Sequence, residues 1–253
     1  MRLNVTVLFL LVITSLLGYD FAMINLIHPS GLKQNQAEIM IRHSFYGDIT
    51  DAPLDNFLGM DAGANVSLSG RYQFYRKTEA KFSYSRRKSE KVIGLAYRID
   101  IEDFPVYGQL GIDYFSYEEL SQPEPTRHNF LYNLSLQNEE LIDRFVATIN
   151  TAYDGYNQRF VFGLGMIVKI VDNISLLGEY YPVLDRDTAG EKLSQYIGDE
   201  DAFAFGLKFN TYGHQFIFLL ANSDDIGLRR NSLGTAQDSH LRLGFNIQRR
   251  LEW

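Results

Sequence analysis

Five histidines are the first side chains to test for chemistry: His28, His43, His128, His214 and His240. No two stand at a His-x-x-x-His spacing, and no carboxylates bracket them as a zinc site requires. No metal site is expected. His43 is followed by Ser44, the residue types of a hydrolase base and nucleophile. Neighbours on a strand point to opposite faces, so this pair cannot share a proton. His43 and His214 therefore read as structural strand histidines. Gly163-Leu164-Gly165 lacks the third glycine and following helix of a dinucleotide loop, and no Gly-x-Ser-x-Gly elbow occurs. No catalytic residue, cofactor or enzymatic activity is expected.

Charged residues divide by location. Asp48, Asp51, Asp55 and Asp61 fall in one long connection, and Asp185, Asp187, Glu191, Asp199, Glu200 and Asp201 around another. Without an Asp-x-Asp-x-Asp-Gly spacing these clusters read as solvated surface rather than calcium sites. The basic residues instead follow the polar parity of the strands set out below. Arg42, Arg71, Lys81, Arg98, Arg144, Arg159, Lys169, Arg242 and Arg250 are the lumen-lining candidates, joined by Lys208, against Glu79, Asp113 and Glu179. An inner wall with such an excess would favour small anions. The alternative is a barrel whose arginines ladder to carboxylates and tyrosines and fill it.

The elements that must position these residues have a period of two from residue 38 onward. Phe203, Phe205, Leu207 and Phe209 alternate with Ala204, Gly206 and Lys208; Phe160, Phe162, Leu164, Met166, Val168 and Ile170 do the same with Gly163, Gly165 and Lys169. Each such stretch runs about 9–11 residues, the length a tilted strand needs to cross a bilayer. The pattern predicts about twelve strands, near 38–46, 62–74, 79–85, 91–98, 106–116, 128–137, 142–152, 158–170, 173–182, 201–210, 213–222 and 240–251. Short connections alternate with long ones, as in an outer-membrane barrel with both termini on the periplasmic side. Tyr72, Tyr114, Tyr132 and Tyr180 suit an interfacial girdle. The last strand ends on Trp253, in phase with Phe245, the pattern of an assembly signal read by the barrel-assembly machinery.

Composition narrows the class. Of 253 residues 45% are hydrophobic, too many for a disordered chain. Zero cysteine excludes disulfide frameworks, thiolate metal sites and cysteine nucleophiles. The net charge of −7 argues against nucleic acid as a partner. Arg2 followed by an apolar run from Val5 to Leu17 predicts a secretory signal peptide over residues 1–22. Residues 23–37 are then a periplasmic N-terminal segment, and 38–253 the barrel.

Three stretches carry a family resemblance. Gly47 to Asn65, Gly178-Glu179-Tyr180-Tyr181-Pro182, and Gly213-His214-Gln215-Phe216 running on to Ala221-Asn222-Ser223 resemble a family of predicted outer-membrane β-barrels of unknown function. The resemblance spans most of the mature chain. It implies the barrel and the location, and brings no activity with it.

The sequence thus predicts an all-β, closed, antiparallel up-and-down transmembrane barrel of the bacterial outer membrane. A passive pore for small, anionic solutes is the leading function. A membrane-anchored structural or partner-binding barrel with a filled lumen is the alternative, and a barrel-borne lipid enzyme a weaker one. The expected partners are outer-membrane lipid, the assembly machinery and the solute, while the oligomeric state is not specified.

Overall fold

The computed structural model describes residues 22–29, 31–51, 53–100, 105–118, 126–138, 144–184, 186, 197–211, 213–235 and 240–252. Most of the signal peptide read over 1–22, together with Trp253, lies outside these residues. Twelve strands are present: β1 (Ala37–Phe45), β2 (Ala64–Tyr75), β3 (Thr78–Ser85), β4 (Glu90–Asp100), β5 (Val106–Glu118) and β6 (Thr126–Asn138). They continue with β7 (Phe145–Asp154), β8 (Arg159–Val171), β9 (Ile174–Tyr181), β10 (Ala202–Thr211), β11 (His214–Ala221) and β12 (Arg242–Leu251).

Each strand pairs antiparallel with its sequence neighbours, and β1 closes onto β12 in the register Ala37↔Leu251 to Ser44↔Gly244. Closure leaves no edge, so every strand has a ladder partner on both sides. Register shifts occur at Gln73/Tyr75 and Lys169/Val171, both beside tight turns.

The alternation decides which face each residue takes. Ile93, Leu95, Phe160, Phe205 and Phe218 stand on the outside, half or more exposed, while Asn133, Ser135, Asn150 and Lys208 point inward and are buried. A soluble sandwich would place these stripes the other way round. The apolar band therefore faces out, as a strand in lipid requires.

Two further segments enter the lumen. Residues 22–28 run inside the barrel from mid-lumen, where Ala22, Met23 and Ile24 are fully buried. A short helix, α1 (Leu228–Asn231), folds into the lumen from the loop between β11 and β12. Residues 23–28 belong to the segment expected on the periplasmic side. These residues lie within the lumen, against the wall described below.

Candidate functional site

The inner wall has two unlike halves. Over β5 to β11 it carries an apolar cluster that includes Phe115, Leu131, Val161, Ile167, Leu177 and Ile217. Met23, Ile24, Leu26 and Leu228 pack into this cluster from the two inserted segments. Over β1 to β5 the wall is hydroxylic and charged, and a cavity of about 200 Å³ runs between it and the inserted chain.

The inserted N-terminal segment is held by side chains of the wall. Glu179 Oε1 accepts the backbone N–H groups of Ile24 at 2.7 Å, Asn25 at 3.0 Å and Leu26 at 3.2 Å. Asn150 Oδ1 accepts the N–H of Ile27 at 2.7 Å, and the Ile27 carbonyl accepts from Ser135 Oγ and Asn150 Nδ2, each at 2.7 Å. The Ile24 carbonyl accepts from Arg42 Nε at 3.2 Å and Asn246 Nδ2 at 2.9 Å. Arg71 donates to the His28 carbonyl at 3.2 Å.

Helix α1 is latched to the opposite wall. Glu90 Oε2 accepts from Arg229 Nη2 at 2.8 Å and Arg230 Nε at 2.6 Å. The Arg229 guanidinium lies 4.1 Å from the centre of the Phe115 ring, and that of Arg230 4.3 Å from the Tyr117 ring. Such stacking suits an arginine that is desolvated and paired at once.

The cavity follows the lumen-facing residues of β3 from Glu79 to Ser85, about 20 Å along the strand at ~3.3 Å per residue. A volume of about 200 Å³ corresponds to about seven waters at ~30 Å³ each, so the cavity is narrow. Charge pairs line it: Arg71 with Glu38 at 2.7 Å and Lys81 with Asp113 at 3.0 Å. Glu79 accepts from Gln109 Nε2 at 2.6 Å, and Asn133 Nδ2 donates to Asp113 at 2.9 Å. Among the described residues, Glu38 Oε2, Glu79 Oε2 and Gln109 Oε1 are buried and meet no hydrogen-bond donor.

Of the nine basic candidates, Arg42, Arg71 and Lys81 line this cavity. Arg98 lies beside Asp100, with 2.9 Å between their charged atoms. Arg159 donates to the Leu184 carbonyl at 2.5 Å, and Arg242 to the Asn222 and His240 carbonyls at 3.0 and 2.9 Å. Lys169 sits near the end of β8 and Arg250 near the end of β12, opposite Glu38. Arg144 departs from the reading: it precedes β7 in a turn, with φ +80°, is exposed, and donates to the Ile170 carbonyl at 3.2 Å. Lumen parity was extended there past the strand's true start.

His43 and Ser44 take opposite faces. The His43 ring stacks on Phe245 at 4.4 Å, while the buried Ser44 hydroxyl donates to the Ser223 carbonyl at 3.4 Å. That separation leaves no proton path between them. In the loops, His240 Nδ1 meets Asp48 at 2.7 Å and Arg186 meets Asp201 at 2.9 Å. Among the described residues no three His, Asp or Glu side chains come together as a metal site.

The sequence reading missed Arg229 and Arg230, hidden in a long loop, and the inserted segment itself. Its available signal was the small and apolar inward parity of β8 to β11, including Gly163, Gly165, Ala204 and Ile217. Such residues make a poor lining for an open water-filled lumen.

A family model described as a membrane bound beta barrel domain (DUF5777) matches residues 122–251, just over half of the chain. No curated protein matches it. Among solved structures, a NanC porin is 10% identical, with a TM-score of 0.52 over 85% of this chain and 100% of that one. A KdgM porin is 8% identical, with a TM-score of 0.51 over 85% and 99%. The outer membrane phospholipase A from Escherichia coli is 10% identical, with a TM-score of 0.46 over 93% and 95%. At these identities the likeness is one of fold.

Proposed function

Since the chain belongs to the family of membrane bound beta barrel domains and lies in the bacterial outer membrane, we propose that it is a passive pore for small solutes, narrowed in this conformation by its two inserted segments. The observation that carries the reading is the cavity along β1 to β5, read here as a conduit, where charged side chains of the wall border open space while apolar side chains pack the lumen across from it. The porin likeness in fold agrees with this reading.

The conduit carries Arg42, Arg71, Lys81, Arg229 and Arg230 against Glu38, Glu79, Glu90 and Asp113. One positive charge in excess supports a weak preference for anionic solutes. On this reading, residues 1–22 are removed on export, and Met23 becomes the tip of a tail inserted from the periplasmic end.

Planar-bilayer recording of the refolded full chain is the test. Small, brief conductance steps with weak anion preference are expected, and silence under all voltages would remove the pore. A second reading, a filled barrel serving as an anchor or partner-binding module, is favoured by the apolar cluster that spans the lumen. It predicts that silence.

A further inference from the structure

We propose that the barrel wall contains a peptide-binding site whose occupant here is the chain's own segment 23–28, held as an exchangeable ligand rather than as part of the folded wall. The site stands on contacts alone; the pore reading enters only in what its emptying would do.

The wall is carved to receive this segment. An added Cβ at Gly163 would lie 2.5 Å from Leu26 Cδ2, and at Gly206 3.0 Å from Ile217 Cγ2 of the wall and 3.1 Å from Ile24 Cδ1. At Gly165 it would overlap Met23 Cε and lie 2.6 Å from Leu26 Cδ1. None of these three glycines has a positive φ, so backbone conformation does not require them. Clearance for the inserted side chains is what they supply.

The mode of binding is also that of a ligand. Among the described residues, no backbone–backbone hydrogen bond joins 23–27 to a strand. Wall side chains take that role instead: Glu179 gathers three successive N–H groups, Asn150 accepts the Ile27 N–H, and Ser135, Asn150, Arg42 and Asn246 donate to the Ile24 and Ile27 carbonyls. Asn25 Oδ1 also accepts the Gly227 N–H at 3.3 Å, which couples the segment to the α1 loop. The twelve-strand ladder closes through β1 and β12 without it, so its departure breaks no strand pairing. Burial of Met23, Ile24 and Leu26 favours the seated state, and ordering of the segment opposes it with a term of similar size. The chemistry recognised is an extended apolar peptide read through its backbone.

Hydrogen exchange on the unmodified full chain in detergent tests this without any variant. The amides of Ile24 to Ile27 are expected to exchange on the order of 100-fold faster than those of Ala204 to Lys208 in the adjoining wall. Exchange at the rate of the wall would overturn the proposal, since the segment would then be fixed structure. In a Gly165→Val variant that keeps heat-modifiable migration, the filled trough should raise exchange over 24–27 about tenfold and leave the strands unchanged. Fast exchange that this variant fails to raise would also overturn it, because the segment would then not depend on the trough. Neither readout involves current. A barrel that never conducts would end the pore reading and leave the peptide site in place.

Discussion

Glu90 and Arg230, 140 residues apart in sequence, meet at 2.6 Å between Oε2 and Nε inside the lumen. The same oxygen holds Arg229, whose Nη1 also lies 3.8 Å from Asp154 Oδ2, so one carboxylate on β4 pairs with both arginines of α1. Both arginines are nearly fully buried. Removing one partner of such a pair leaves an uncompensated buried charge, at a cost of about 3–5 kcal/mol. Glu90→Gln is therefore expected to release α1 towards solvent. Trypsin should then cut after Arg229 or Arg230 in reconstituted vesicles roughly 100-fold faster than in the unmodified protein. Equal protection of the two proteins would show that Asp154, ring stacking and Leu228 packing hold the helix without Glu90.

Lys81 and Asp113 offer a test of the conduit with opposite signs. Their charged atoms are 3.0 Å apart on its wall. Lys81→Gln removes a positive charge and Asp113→Asn a negative one. In a salt gradient the first is expected to move the reversal potential towards cation preference and the second towards anion preference. If both leave it in place, current passes elsewhere.

The room for that pair is made by a glycine. A Cβ at Gly94 would strike Asp113 Oδ1 and lie 2.9 Å from the Ile112 carbonyl oxygen. The backbone oxygen cannot swing aside as a side chain could. Gly94→Ala is expected to destabilise the barrel by about 1–3 kcal/mol, the usual range for overpacking. Its heat-modifiable band should collapse at a lower temperature. Gly108→Ala is the control, since its nearest added contact is an ordinary 3.4 Å.

The strands were legible because one physical rule controls them. Phe203, Phe205, Leu207 and Phe209 must face lipid and Ala204, Gly206 and Lys208 must not, so the alternation is written into the residues. Parity has no depth, however. It treats Arg42 beside the inserted chain and Arg242 at the loop end alike, and it ran on into the turn at Arg144. The inserted segments were hidden for a different reason. Met23 to Ile27 continues the apolar leader in composition, and nothing local marks it as chain that returns to a wall more than 100 residues away. Gly163 and Gly165 were visible as a pair, but only their opposite numbers, Leu26 and Met23, explain them.

Acid should loosen the entry to β10. Burial raises the Asp201 carboxyl, but the Tyr180 hydroxyl, the Val183 N–H and the Arg186 guanidinium outweigh it and hold the group below the ordinary carboxylate range. A carboxylate with a lowered folded pKa contributes fully above its unfolded value of about 3.9 and loses that contribution as pH falls through the folded value. Asp201→Asn is expected to lower the thermal midpoint slightly at pH 7. The gap to the unmodified protein should close as the pH drops below about 4. A gap that persists in acid would assign the effect to packing.

Leu95 tests the orientation of the whole barrel. It lies near the middle of β4 and is 51% exposed on the outer face. In water an arginine at such a position would cost almost nothing. At the midplane of a bilayer the same substitution costs about 2–4 kcal/mol, because the guanidinium loses hydration that acyl chains cannot replace. Leu95→Arg should therefore reduce folding yield into lipid vesicles and lower the denaturant midpoint measured there. Tyr75→Arg, more exposed at 54% but at the end of β2 beside a tight turn, should cost at most about 1 kcal/mol. The depth dependence is the deciding feature: a barrel standing in water would respond to the two substitutions alike.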